Sequence, residues 1–476
     1  MKICVVGDVL LDQDWDGAAT RLCPDAPVPV IDLQRQQIRA GGAGLVASLL
    51  LADGHDVTLV TALAADDGAT QLRRALTGVQ LLAAEIHGPT PSKTRLRANK
   101  AQVARIDSGC QDVRQGGATA AMVAACARAE VIVVADYGHG LLRDPLLREV
   151  LQARAAVVPV VWDPHPRGVE PVPGVAAVTP NLGEALTLSG TQGNGIEAAT
   201  RAGRALLQRW HSRAVVVTLA ERGALMLQNS DGEGVAPLLL PAPVLTVADS
   251  CGAGDRFASA LAVHLAQAAP ISTAVEAAVG LTGRFLHQGG VASLAPNPAT
   301  GAPEFDTAPG APESGTGHSV PAQGFTSAQE LAAQVRARGG TVVATGGCFD
   351  LLHAGHVRML AQARALGDCL IVLLNSDSSV RARKGPQRPI NAEAERMELL
   401  HALASVDAVV LFQQDTPEQA LRTLRPDVWV KGADYSADTL PEAQAVRSWG
   451  GQVVTVPYHR QHSTTLLAQA LARAGN

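Results

Sequence analysis

Two short stretches of this sequence hold residue types whose spacing fits phosphoryl chemistry. In the first, Asp249-Ser250-Cys251-Gly252-Ala253-Gly254-Asp255 runs straight into Arg256-Phe257-Ala258-Ser259-Ala260-Leu261-Ala262, a good helix former. The glycines therefore fall at a helix start. There the unpaired N–H groups and the positive end of the helix dipole hold phosphate oxygens and the charge that develops during transfer. Asp255 stands beside that hole. A sugar hydroxyl is neutral at pH 7 and must lose its proton as it attacks a γ-phosphate, so a positioned carboxylate is the group this chemistry requires. Taken alone, the same residues also describe a Gly-rich turn with an Asp helix cap. Two further pieces accompany it: Gly41-Gly42-Ala43-Gly44 opens a helical stretch from Leu45 to Ala52, and Asn181-Leu182-Gly183-Glu184 follows a strand ending at Val178-Thr179.

The second stretch begins with a strand, Thr341 to Thr345. It turns through Gly346-Gly347-Cys348-Phe349-Asp350-Leu351-Leu352-His353-Ala354-Gly355-His356 into a helix continuing past Val357-Arg358-Met359-Leu360. Two histidines three apart share one helical face. A His-x-x-His pair with no acidic partner nearby is thin support for zinc, and phosphate stabilisation at a Gly-rich helix start fits better.

These pieces need rigid elements behind them. With 476 residues, the chain exceeds what one hydrophobic core usually supports, so two or three domains are expected. A composition 47% hydrophobic and 17% charged fits globular α/β architecture and excludes a disordered chain. The net charge of −5 gives no footprint for nucleic acid or anionic membrane. Apolar runs alternate with Ala/Leu-rich helical stretches: Val57 to Thr61, Val131 to Ala135, Val157 to Trp162 and Val215 to Leu219 in front. Behind come Thr341 to Thr345, Cys369 to Leu374, Ala408 to Phe412, Val428 to Val430 and Val453 to Val456. Such runs argue for parallel sheets covered on both faces, with sites beyond the strands' carboxyl ends. The stretch from Gln13 to Ile38 reads as a small sheet projecting as a lid. Periodicity vanishes from about Ala295 to Gly324, where Pro298, Pro303, Pro309, Pro312 and Pro321 mix with Gly, Ser, Thr and Ala. The expected division is 1–297, a linker 298–324, and 325–476. Seven cysteines, odd in number and without a Cys-x-x-Cys pair, indicate neither a disulfide framework nor a zinc site. The start, Met1-Lys2-Ile3-Cys4-Val5-Val6-Gly7-Asp8, reads as a buried strand and not a signal peptide, and no apolar run of about 18 residues offers a membrane span. A cytoplasmic protein is expected.

Gly7-Asp8, Gly41-Gly42, Asn181 to Glu184 and Gly252-Ala253-Gly254-Asp255, in that order across nearly 290 residues, resemble the ribokinase-type carbohydrate kinases. The resemblance implies a three-layer ribokinase-like domain with a β lid. It implies Asp255 as catalytic base, the backbone of Gly252, Ala253 and Gly254 as anion hole, Asn181 and Glu184 ordering the Mg²⁺ carried with ATP, and Asp8, Asp12, Gly41 and Gly42 at the sugar. The rear stretch resembles the His-x-Gly-His nucleotidyltransferases, with a Rossmann-like domain. That implies His353 and His356 on the nucleotide phosphates, Phe349 and Lys431 at the nucleotide, Lys384 and Arg388 as phosphate partners, and Ser463-Thr464 capping a final helix against the triphosphate. Val6 to Asp12, Pro24 to Val30, Lys93-Thr94-Arg95, Asp136 to Leu141, Glu395-Arg396-Met397 and Val430 to Tyr435 are similar to the bifunctional heptose-phosphate kinase and adenylyltransferase family. This implies a sugar 1-phosphate made in front and an ADP-sugar made behind, with a separate phosphatase between the steps and a homodimer. The partners expected are sugar phosphates and ATP. Three positions depart from that family: Leu45 where Asn is usual, and His139 and His165 where Lys is usual. They point to an altered sugar or phosphate contact or to tolerated loop variation, and leave open another sugar or nucleotide, or a front half that binds without turning over.

Overall fold

A computed structural model describes residues 1–98, 101–110, 114–229, 237–243, 245, 249–294, 328–432 and 441–456. The linker 298–324 and Ser463-Thr464 lie outside the described residues. Contacts divide the chain into two compact units, Met1–Leu219 with Leu227–Ser230 and Pro243–Pro303, and Ala220–Met226 with Asp231–Ala242 and Glu304–Asn476.

The first unit is built on parallel strands β1 (Lys2–Gly7), β4 (Asp56–Leu63), β5 (Gln80–His87), β9 (Val131–Ala135), β10 (Val160–Asp163), β11 (Ala177–Val178) and β12 (Ala214–Thr218), in the order β12-β11-β10-β9-β1-β4-β5. The two-residue strand β8 (Arg114–Gln115) pairs antiparallel with β5. β1 and β9 are apolar almost throughout and buried, as a strand covered on both faces must be. Helices α1 (Ala43–Ala52), α2 (Asp67–Ala75), α3 (Ala120–Arg128), α4 (Pro145–Ala155), α5 (Leu182–Ser189), α6 (Gly195–Trp210), α7 (Ala253–Ala266) and α8 (Ile271–His287) complete the unit. The sheet order reverses at β1, which lies between β4 and β9, so a crevice opens beyond their carboxyl ends at Gly7-Asp8 and Asp136.

The lid is larger than the sequence indicates. β2 (Val9–Leu22) and β3 (Pro29–Gly42) pair antiparallel, and β6 (Ser92–Ala98) and β7 (Ala101–Ser108) join them in the order β3-β2-β6-β7. Its extra strands alternate charge with small residues and so lack an apolar signature. The expected strand from Val157 instead starts at Val160, because Val157 is exposed in the turn after α4. Strands β13 (Ala224–Gln228) and β14 (Leu238–Leu240) form an antiparallel pair.

In the rear unit β15 (Val342–Gly347), β16 (Cys369–Asn375), β17 (Ala408–Phe412), β18 (Val428–Gly432) and β19 (Gln452–Val456) run parallel in the order β17-β16-β15-β18-β19. The described helices are α9 (Ala328–Ala337), α10 (Ala354–Arg364), α11 (Asp377–Lys384), α12 (Glu393–His401), α13 (Glu418–Leu424) and α14 (Pro441–Ser448). Trp429, Leu373, Ile371 and Val446 centre the core. Here the order reverses at β15, whose carboxyl end leads into the His353–His356 turn.

Candidate active sites

In the front unit, Gly252 adopts a left-handed conformation (φ 79°) as N-cap of α7, and Asp255 lies in that helix's first turn. A Cβ on Gly252 would come within 2.8 Å of Val291 and 3.0 Å of Leu45, so the turn needs glycine for both conformation and space. A Cβ on Gly254 would meet nothing within 4 Å, leaving open space before the first N–H groups. Asp255 is buried, and its Oδ1 accepts a hydrogen bond from the Tyr137 hydroxyl at 2.9 Å. Burial pushes the Asp255 carboxyl up to about 6, the Tyr137 bond and Lys93 opposing and Asp12 reinforcing the rise. Tyr137 is itself held well above its ordinary value by burial and by Asp255, so it stays a donor.

Asp8, at the end of β1, is buried; its Oδ2 accepts from the backbone N–H groups of Tyr137 (3.2 Å) and His139 (2.9 Å). Its Oδ1 is buried with no hydrogen-bond partner among the described residues, as expected of an acceptor that faces a hydroxylated ligand, whereas the Oδ1 atoms of Asp12 and Asp14 face lid arginines. Gly41 and Gly42 close the wall. A Cβ on Gly41 would meet the Asp12 carboxylate at 2.7 Å, and one on Gly42 the Asp8 carbonyl at 2.6 Å. Arg39 and Arg95 hold Asp12 at 3.7 and 3.5 Å, Arg39 also contacts Asp14, and Arg97 bridges from Asp14 to Asp249 at 2.9 Å. The acidic pocket is thus balanced by lid arginines.

Asn181 and Glu184 form a reciprocal capping box at the start of α5: Asn181 Oδ1 accepts from the Glu184 N–H, and Glu184 Oε2 from the Asn181 N–H, both at 2.9 Å. Their first role is therefore structural. Glu184 keeps one carboxylate oxygen outside that box, and burial raises its pKa. Asp163, at the end of β10, is pushed well above the usual carboxylate range by burial and then by Glu184 and Asp255. Asp163 is thus the carboxyl whose ionisation its acidic neighbours oppose.

In the rear unit His353 is the N-cap of α10, outside the helix proper, and its Nδ1 accepts from the Gly355 N–H at 3.1 Å. The His353 and His356 rings stack at 3.9 Å, and Phe349, at a positive φ of 44°, sets its ring 5.2 Å from His356. Burial, then His353, push His356 down to about 4, so its imidazole is neutral at pH 7. Lys431, at the end of β18, reaches the Gly346 carbonyl at 3.2 Å and sits over the Trp429 ring. Lys384 closes α11 with an exposed side chain whose charge also lowers His356. Arg388 pairs with buried Asp350 at 2.6 Å, so part of its guanidinium is committed within the protein.

Among the described residues no group of three or more His, Cys, Asp or Glu is arranged to hold a metal ion by itself. No described helix is long and apolar enough to cross a membrane. The family model for pfkB family carbohydrate kinases matches residues 1–297, and that for cytidylyltransferase-like domains matches 344–470. The bifunctional protein HldE of Streptomyces coelicolor is 47% identical over 98% of this chain and 96% of its own length. Those of Pseudomonas aeruginosa strain PAO1 and Geotalea uraniireducens are 37% and 36% identical over 99% of this chain and 98% and 96% of theirs. The chain belongs to the HldE family. It is a bifunctional enzyme, a pfkB-type carbohydrate kinase joined to a nucleotidyltransferase, each using ATP.

Within this HldE-family fold the three departures have distinct places. Leu45 is buried with Leu49, Phe285 and Val291 and packs under Gly252, forming an apolar floor beneath the first turn of α7. His139, in the loop after β9, is buried; burial, then Arg167 and Lys93, lower its pKa while Asp8 opposes them. His165 is half-buried, stacked 6.3 Å from Tyr137, and pushed down to about 4 by burial with Arg167, Lys93 and His139. Tyr137, Lys93 and Asp163 carry no role that the sequence alone reveals, since a lone Tyr, Lys or Asp has no spacing signature. Asp136 joins both loops: Oδ1 accepts from Gly138 N–H and Oδ2 from Val169 N–H, each at 2.8 Å.

Proposed function

We propose that the front unit transfers the γ-phosphoryl group of ATP to the anomeric hydroxyl of a heptose 7-phosphate, and that the rear unit transfers AMP from ATP to a heptose 1-phosphate with release of pyrophosphate. The observation that carries the kinase reading is Asp255, buried, bonded to Tyr137 and one turn from the left-handed Gly252. The hydroxyl's proton passes to the Asp255 carboxylate as its oxygen attacks phosphorus, and ADP leaves. A base with a pKa near 6 is ionised at neutral pH yet stronger than an exposed carboxylate. Asp8, Asp12, Gly41 and Gly42 orient the sugar, and the N–H groups of Gly252, Ala253 and Gly254 take the developing charge. Mg²⁺, held through the remaining Glu184 oxygen and Asn181, would screen the ATP phosphates.

The rear reaction needs no general base. A sugar 1-phosphate is already an anionic nucleophile, so alignment and charge stabilisation suffice. His353 and His356 serve the transferred phosphate, Phe349 and Lys431 the nucleotide, and Lys384 and the uncommitted face of Arg388 the remaining phosphate charge. Ser463 and Thr464 complete that set in our reading. We further place the domain boundary in 298–324 and the enzyme in the cytoplasm as a homodimer.

Phosphorus NMR of the full chain with D-glycero-D-manno-heptose 7-phosphate, ATP and Mg²⁺ tests the first step. A new anomeric phosphate, absent with Asp255→Asn, is expected. No front turnover, while heptose 1-phosphate and ATP still release pyrophosphate, refutes the kinase substrate and turns attention to His139 and His165, the positions where this pocket departs from its family.

A further inference from the structure

Arg396, in the first half of α12, has no exposed surface. A buried guanidinium is costly unless every side of it is paired, and this one is engaged on every side. Its Nε donates to the Asn391 carbonyl at 3.0 Å. Nη1 donates to the carbonyls of Cys348 (2.6 Å) and Asn375 (2.9 Å), and Nη2 to Asp377 Oδ1 (2.7 Å). Those acceptors belong to separate segments of the rear site: the turn after β15, the end of β16, the first turn of α11, and the loop after Arg388. Asp377 is fixed a second time, its N–H donating to Glu393 at 2.7 Å.

The Cys348 contact bears on the chemistry. In a trans peptide the carbonyl and the following N–H point in opposite directions. With the Cys348 carbonyl drawn onto Arg396, the Phe349 N–H is turned to the side away from the guanidinium. Among the described residues nothing accepts from that N–H. Phe349 holds a positive φ of 44°, a conformation that persists only where its surroundings impose it. Arg396 supplies that constraint from the buried side.

We propose that Arg396 is a positioning residue for nucleotidyl transfer: it fixes the Cys348–Phe349 peptide so that the Phe349 N–H donates to one non-bridging oxygen of the nucleotide's α-phosphate. This rests on the rear-site reading above. Arg396 touches no substrate; it acts through the peptide. Lysine cannot replace it, because one ammonium nitrogen cannot span acceptors on four segments.

The test uses the full chain, heptose 1-phosphate and the two diastereomers of ATP sulfur-substituted at the α-phosphorus, with release of pyrophosphate as readout, since the sulfur stays on the transferred group. The kinase rate of the same molecule reports global integrity. Wild type is expected to prefer one diastereomer by about tenfold or more, since only one keeps oxygen at the N–H. In Arg396→Lys the rate with ATP falls by about 30-fold or more, as when one oxyanion donor is lost, and the diastereomer ratio collapses to within about threefold of unity. A purely structural role would lower both rates and leave the ratio intact, which overturns the proposal, as does a wild type without discrimination. If Arg396→Lys does not fold, Asp377→Asn, which loosens one side of the guanidinium, must move the ratio in the same direction; an unchanged ratio overturns the proposal. A wild type that releases no pyrophosphate at all refutes the rear-site reading and takes this inference with it.

Discussion

Replacing Tyr137 with Phe removes one hydroxyl from the kinase site and little else. The ring keeps its volume, its stacking on His165 and its place under Lys93, whose ammonium lies 5.3 Å from the ring centroid. What disappears is the 2.9 Å hydrogen bond to Asp255, which favours the ionised carboxylate and so opposes the effect of burial. A hydrogen bond to a charged group contributes about 1.5–3 kcal/mol, and one pKa unit corresponds to about 1.4 kcal/mol. The Asp255 pKa should therefore climb by about 1–2 units from its value of about 6. The sign follows from the base's role: activity needs the ionised form, so it is present above the pKa and lost as pH falls through it. At pH 7 the ionised fraction drops from about nine-tenths to between about a half and a tenth. The kcat/KM profile for the sugar, which reports the free enzyme, should show its acid limb displaced upward by that amount, with the high-pH plateau recovered. An acid limb that stays in place in Tyr137→Phe refutes both the assignment of Asp255 as base and the balance of forces set out for it.

Gly252→Ala puts a Cβ within 2.8 Å of Val291 at a residue with φ 79°; about 2–4 kcal/mol of front-unit stability should be lost, with kinase turnover down and pyrophosphate release unchanged. Calorimetry that finds the variant as stable as wild type counts against the packed floor under the first turn of α7. Asp350→Ala strips the partner from Arg388 and the acceptor from the Ile390 N–H (2.5 Å), and should cost about 2–4 kcal/mol together with most nucleotidyl transfer. Retention of full transfer activity would show that Arg388 finds its place without Asp350. His356, pushed down to about 4 by burial, should keep a constant imidazole carbon shift from about pH 5.5 to 8 in NMR titration of the free enzyme; a titration midpoint near 6.5 contradicts its burial.

The parallel strands were legible because sheets covered on both faces demand continuous apolar runs, and Val131 to Ala135 or Ala408 to Phe412 are such runs to the residue. Gly252 and Phe349 lie on turns that follow from glycine spacing, and the structure seats Asp255, Asp8, Asp12, Gly41 and Gly42 around one crevice. The lid's first two strands fall in the stretch from Gln13 to Ile38, but β6 and β7 escape because they contain Lys93, Arg95, Arg97 and Arg105 in place of an alternating apolar face. Arg95 and Arg97 of β6 are matched by Asp12 and Asp14 some 80 residues earlier, and such pairing has no local signature. The same applies to Tyr137 and Arg396, whose importance lies in partners distant along the chain. The family resemblance makes Asn181 and Glu184 metal-ordering residues, whereas the spacing by itself is that of a capping box, which is what the structure forms. The histidine pair at 353 and 356 was expected on one helical face; His353 instead precedes the helix as its cap, which is how the two rings come to stack.

Asp136 sets the frame of two loops at the kinase crevice. Its carboxylate grips the main chain of two loops from behind, at Gly138 and Val169, and the Cβ that any residue at Gly168 other than glycine would carry falls 2.2 Å from it. The loop paths are thus set by an acid and two glycines, with one further tie where His165 Nδ1 accepts from the Arg167 N–H at 3.2 Å. A library that randomises positions 139 and 165 while keeping Asp136, Gly138 and Gly168 would vary the side chains of this crevice on loops that Asp136 still holds at two points.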